Sequence, residues 1–278
     1  MSVNLLKQRW ADGLDAVGAW CTLGSPFAAE LCAAEDFDYL CVDLQHGLYH
    51  LDTMVATLMA ASRAAPTPIA RVPFNQPQYI GKVLDAGAEA VIVPMVNSRD
   101  EAERAVAACR YAPEGVRSFG PVRAGLFLNQ APPAEVNGEA LCLVMIETAQ
   151  AVERAEQICS TPGLDGVYVG PADLAISMGL SPATATASTE YTDAIEHVRK
   201  TCDASRIVPG IHTTGGEQAR AYLDAGFKMV TLSSDAALLR AAHRAELARV
   251  RGAGGSGGRA SEAAAPGGSG AAPRGPYA

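Results

Sequence analysis

The sequence predicts an α/β protein, a (β/α)8 TIM barrel with a short N-terminal helix and a disordered C-terminal tail. Three observations predict it. Short β-rich runs alternate with helical patterns through about 250 residues, the usual size of that architecture. The runs are apolar without interruption, as strands of a parallel sheet covered on its outer side must be. There are eight of them, which fits a closed barrel better than an open doubly wound sheet.

Taken in order, MSVNLLKQRWADG reads as a short amphipathic helix, with no signal peptide and a cytoplasmic location expected. The strands are placed at 17–23, 39–44, 68–72, 90–96, 141–146, 166–170, 208–212 and 229–233. Between them, segments such as LDTMVATLMAASRAA and SRDEAERAVAACRYA carry apolar residues at three- and four-residue spacing, the helical period. LDAGAEAVIVPMV (84–96) and LDAGFKMVTLSSD (223–235) echo each other four βα units apart. Gly87 and Gly226 in them fit helix C-caps before the next strand. From residue 251 the chain is rich in Gly, Ala, Pro and Ser and too poor in large apolar groups to offset its ordering entropy. The domains expected are therefore 1–250 and a disordered 251–278.

Composition narrows the function. A net charge of −8 argues against nucleic acid or an anionic membrane as the main partner, and no segment approaches the roughly 20 apolar residues of a membrane span. Seven cysteines without CxxC spacing read as reduced, buried thiols. The four lysines are Lys7, Lys82 and Lys200, in predicted helices, and Lys228, just before the last strand. None is placed for a Schiff base at the catalytic face, so carbonyl chemistry here requires a metal.

Barrel catalysis sits at the C-terminal strand ends. Strand 2 ends in Asp43, Gln45 and His46, strand 3 in Arg71, strand 5 in Glu147, strand 6 in Gly170-Pro171-Ala172-Asp173 and strand 7 in His212. Glu147 and Asp173 end adjacent strands. They either make an oxygen-rich site for Mg²⁺ or Mn²⁺ or cap the helices that follow. Arg71 either takes a planar anion or forms a structural salt bridge to Asp43 or Asp85. His46 is a general base, a metal ligand or a surface residue, and the His46–His50 pair lacks a zinc motif.

The ordered set VDLQHG, ARVPFN, LDAGAEAVIVPMV, RYAPEGVRSFGPVRA, MIET and DGVYVGPADLAISMG, over about residues 17 to 240, resembles the HpcH/HpaI family of class II pyruvate aldolases. Its name-giving members cleave 2,4-dihydroxyhept-2-ene-1,7-dioate, in aromatic compound catabolism. The resemblance implies a divalent metal (Mg²⁺, Mn²⁺ or Co²⁺) on Glu147 and Asp173. It further implies a His46 base paired with Asp85, and Arg71 on the substrate. The amides of Ala172 and Asp173, with Gly170 shaping the turn, would hold the pyruvate carboxylate. It also implies a homo-hexamer, a trimer of dimers that exchange their last helix.

Gln45 stands where some members have Glu, and Met145 where some have Gln, so the name-giving substrate is not assumed. His212 is a specificity candidate, and Arg123, in the weakly patterned stretch 113–138, a candidate for reaching substrate or a neighbouring subunit. The expected reaction is reversible cleavage of a 4-hydroxy-2-oxo acid to pyruvate and an aldehyde. Two alternatives are an acyl-CoA lyase of the citrate lyase beta or malyl-CoA type, for which no basic nucleotide groove is evident, and a non-catalytic oxo-acid-binding barrel.

Overall fold

The computed structural model describes residues 4–62, 65–127 and 131–251, with the side chain of Phe127 excepted. Eight strands form a closed barrel in sequence order: β1 Ala16–Cys21, β2 Tyr39–Asp43, β3 Thr67–Arg71, β4 Ala90–Val93, β5 Leu141–Ile146, β6 Gly166–Val169, β7 Val208–Ile211 and β8 Met229–Ser234. Every pair is parallel, including the closing pair of β1 and β8. Each expected strand is present within a few residues. The fourth is shorter than the expected 90–96, because the chain leaves the sheet at Pro94 and Met95 adopts a left-handed φ of 56°.

Strand periodicity sorts the core into two layers. In β2, Leu40 and Val42 face out to the helices, while Tyr39 and Cys41 join Trp20, Ile69, Ile92, Leu143, Met145 and Tyr168 inside the barrel. Leu6 of the N-terminal helix Leu5–Ala11 belongs to this inner cluster, and Trp10 packs against it. That helix therefore closes the N-terminal mouth. Its first turn is capped by Asn4, whose side chain accepts from the N–H groups of Leu6 and Lys7.

The two glycine caps form as expected. Gly87 and Gly226 take φ of 99° and 104°, just past the helices Pro77–Asp85 and Gly216–Asp224, a conformation strained for any residue with a Cβ. All four lysines fall away from the C-terminal rim: Lys7, Lys82 and Lys200 in helices, and Lys228 paired with Asp15 at 2.8 Å. Of the cysteines, Cys32 is half-buried and the rest are buried, all as free thiols. Among the described residues no helix is long and apolar enough to cross a membrane.

The barrel unit closes at Leu239, and the helix Asp235–Arg251 continues from Arg240 into a second unit. Arg251 is the last residue of that helix. The rest of the expected tail, 252–278, lies outside the described residues.

Candidate active site

The inner parity of the strands, carried one step past the apolar layers, selects the polar residues of the C-terminal rim. Asp43 follows Tyr39 and Cys41, Arg71 follows Ile69, and Glu147 follows Leu143 and Met145. Gly170 follows Tyr168, and His212 follows Val208 and Gly210. Side chains that alternate between faces cannot avoid this meeting once the barrel closes.

Asp43 and Arg71 are register partners on β2 and β3. Their side chains form a two-pronged pair, Nε to Oδ1 at 2.8 Å and Nη2 to Oδ2 at 2.5 Å. Trp20 donates its indole N–H to Asp43 Oδ2 at 3.2 Å, and its ring lies under the guanidinium at 5.0 Å. Burial works against the charge on Asp43, yet Arg71 outweighs it and holds the carboxyl below its usual range. Arg71 is likewise opposed by burial and kept charged by Asp43. Of the alternatives left open for Arg71, the structural pair with Asp43 forms. It takes up Nε and Nη2 and leaves Nη1 without a hydrogen-bond partner among the described residues.

Asp43 Oδ1 also accepts the backbone N–H groups of Gln45, at 3.0 Å, and His46, at 3.3 Å. This fixes the turn that lifts the His46 side chain to an exposed position. The Gln45 amide oxygen is buried without a partner among the described residues.

Glu147 is 1% exposed. It does not cap the helix after its strand, because Thr148 does, accepting from Ala151 N–H at 3.0 Å. Its Oε1 instead accepts the N–H of Met95 at 2.7 Å. Its other oxygen looks across at Gly170, where a Cβ would sit 2.4 Å from Oε2 and 3.0 Å from the Met145 methyl. A side chain at 170 would displace the carboxylate.

Asp173 stands exposed in the first turn of the helix Pro171–Ser177. Burial foremost, with the Asp173 charge adding to it and the Met95 N–H and Arg71 opposing, pushes the Glu147 carboxyl up to about 6. Two carboxylates, one buried and one at the surface, are a donor set suited to a hard dication. Among the described residues no third His, Cys, Asp or Glu joins them.

His212 stands edge-on to Trp20, with centroids 4.9 Å apart, and 6.4 Å from Tyr168, which stacks on Trp20 at 5.6 Å. Burial lowers its pKa to about 4, and the Arg71 charge adds to the effect, so the imidazole is neutral at pH 7.

Two expected site residues lie elsewhere. Asp85 ends the helix Pro77–Asp85, which runs from the C-terminal rim back to the N-terminal one. Its carboxylate pairs with Arg117 at 2.8 Å. Within one chain it cannot orient His46, and Asp43 holds the His46 turn instead. Arg123 also sits at the N-terminal rim. It donates to Ala86 O at 2.5 Å, Leu58 O at 3.3 Å and Ser62 Oγ at 3.0 Å, tying the ends of two helices.

Sequence reading missed Trp20 and Met95. Trp20 was accessible through parity, since it follows Ala16 and Gly18 on the inner face of β1. Nothing in the sequence marks the Met95 conformation.

A family model described as HpcH/HpaI aldolase/citrate lyase matches residues 16–242. The chain is 37% identical over 249 residues to the hydroxypyruvate/pyruvate aldolase of Rhizorhabdus wittichii, a match covering 90% of this chain and 99% of that one. It is 35% identical over 242 residues to the 5-keto-4-deoxy-D-glucarate aldolase of Escherichia coli, covering 86% and 93%. A crystal structure of an HpcH/HpaI aldolase/citrate lyase family protein from Burkholderia cenocepacia shares the fold with a TM-score of 0.85 and 32% identity, covering 90% of this chain and all of that one.

Proposed function

This chain belongs to the HpcH/HpaI aldolase/citrate lyase family, a carbon–carbon lyase of the aldolase kind acting on an oxo acid, and we propose that it reversibly cleaves a 4-hydroxy-2-oxo acid to pyruvate and an aldehyde with a divalent metal. The observation that carries the reading is the rim itself. A buried carboxylate held by a backbone N–H faces a second carboxylate, beside a guanidinium with one free arm and an exposed imidazole.

Glu147 and Asp173 would hold the cation, Mg²⁺, Mn²⁺ or Co²⁺, and it would supply Lewis acidity when bound. Gly170 keeps Glu147 in reach by having no side chain. The N–H groups of Ala172 and Asp173, unspent at a helix start, receive the substrate carboxylate. His46 takes the proton of the 4-hydroxyl as the C3–C4 bond breaks. The bonding electrons move to C3 and the 2-oxo oxygen, giving the enolate of pyruvate. Arg71 offers its remaining Nη1 to that oxygen, and because Asp43 and Trp20 fix its plane, it need not reorganise as charge develops. Protonation at C3 then gives pyruvate. The active form is a cytoplasmic homo-oligomer, a trimer of dimers.

The test is pyruvate release from 4-hydroxy-2-oxo acids, after EDTA and after restoring the metal. Activity indifferent to chelation overturns the metal requirement. Glu147→Ala abolishes both cleavage and metal binding, whereas His46→Ala abolishes cleavage and retains the metal.

A further inference from the structure

We propose that the aldehyde partner of this enzyme is uncharged, with an apolar alkyl or aryl substituent; the inference rests on the aldolase reading above. It comes from the charges and surfaces the fold places around the C-terminal mouth.

An aldehyde that carries its own carboxylate needs a second cation, beyond the groups that bind the oxo acid. The segments that follow the eight strands, TLGS, LQHG, VPFN, PMVN, ETAQ, GPAD, HTTG and DAAL, contain no lysine or arginine. The one guanidinium at a strand end is Arg71, with Nε and Nη2 already on Asp43. The carboxylates there are Asp43, Glu147, Asp173 and Asp235. Asp235 is spent on the backbone N–H and hydroxyl of Thr22 and the N–H of Leu23. His212 is enclosed edge-on against Trp20, and its imidazole is neutral at pH 7, so it offers no fixed positive charge. Arg154, at the end of the helix after β5, reaches this rim, where its guanidinium is engaged on Asn97 O at 3.3 Å; a second carboxylate on the substrate would lose its hydration beside acidic groups and find no cation that is not already engaged.

The mouth instead offers apolar surface. Leu48 beyond β2, Phe74 beyond β3, Met95 beyond β4 and Ile176 in the helix after β6 are 76%, 60%, 49% and 61% exposed. Ile176 lies three residues after Asp173, on the same helical face. Large apolar groups left open after three consecutive strands, and after a fourth one strand further round the rim, offer surface that an alkyl or aryl chain can cover. Each methylene so covered raises kcat/KM roughly fourfold.

The experiment uses the full chain with Mg²⁺ and pyruvate. It compares aldol addition to propanal, butanal, pentanal and benzaldehyde with addition to glyoxylate and succinic semialdehyde, and follows oxaloacetate decarboxylation as an independent measure of enolate formation. The expected result is a kcat/KM that rises from propanal to pentanal and exceeds that for succinic semialdehyde at least tenfold. Phe74→Ser lowers the value for pentanal several-fold with decarboxylation unchanged, and Phe74→Arg raises it for succinic semialdehyde.

Equal or better use of the carboxylated aldehydes overturns the inference. Decarboxylation with no aldehyde accepted overturns it also, while leaving the enolate chemistry standing. Loss of decarboxylation together with every addition sinks the aldolase reading itself.

Discussion

The backbone N–H of Met95 donates to Glu147 Oε1 at 2.7 Å, and it reaches that position because Met95 adopts a φ of 56°. A non-glycine residue there costs roughly 1–2 kcal/mol, a cost borne at the point where a buried carboxylate must be held. Met95→Gly removes the strain and keeps the donor, so thermal melts should show stability raised by up to about 1 kcal/mol. Met95→Val, β-branched and poorly tolerated in that conformation, should swing the N–H away. Titration calorimetry with Mn²⁺ should then show affinity reduced about tenfold, roughly the loss of one charge-assisted hydrogen bond. Unchanged affinity in the valine variant would refute the assignment.

Asp43 and Arg71 are both buried and neutralise each other. Asp43→Ala leaves a guanidinium unpaired in the barrel and should cost about 3–5 kcal/mol in urea unfolding. Removing both partners should cost clearly less than the sum of the two single changes, and a strictly additive double-mutant cycle would contradict the pairing.

Arg123 separates a structural from a substrate role. With its donors on Ala86 O, Leu58 O and Ser62 Oγ, Arg123→Ala should lower stability by about 1–3 kcal/mol. The KM of the folded enzyme for the oxo acid should stay the same. A raised KM with an unchanged melting temperature would place Arg123 at the substrate instead.

His212 makes the fold sensitive to acid. Burial and Arg71 lower its pKa to about 4, below the roughly 6.5 of a free imidazole. The neutral form is thus favoured in the folded protein, and this contribution to stability is complete above about pH 6.5. It is lost as pH falls toward 4, by about 1–2 kcal/mol once partial exposure is allowed for. Comparing unfolding free energies of the protein and of His212→Asn between pH 7 and 4.5 should show a shallower acid slope in the variant. Parallel slopes would contradict a buried neutral imidazole.

Much of this protein was legible from residue order alone. Apolar runs separated by helical segments indicate a parallel sheet buried on both faces, and their number, eight, favours closure into a barrel over an open doubly wound sheet. Gly87 and Gly226 mark their helix ends, since those positions need a φ that side chains resist. The two-residue period of a strand also delivers Asp43, Arg71, Glu147 and His212 to one rim, so the polar cluster is local information repeated eight times.

What each of those groups touches is not local. Arg71 had two carboxylates to choose from in the sequence, Asp43 and Asp85. Strand register brings it to the first, 28 residues away, and the reversed course of the helix carries Asp85 to the other rim and Arg117. Glu147 is held by Met95, 52 residues earlier, through a backbone turn that no residue preference announces. Arg123 ties together helix ends that only barrel closure makes neighbours. Residue types set which groups can ionise or donate. Closure of the sheet, by fixing distances between groups far apart in the chain, decided which of them meet and which are left free for chemistry.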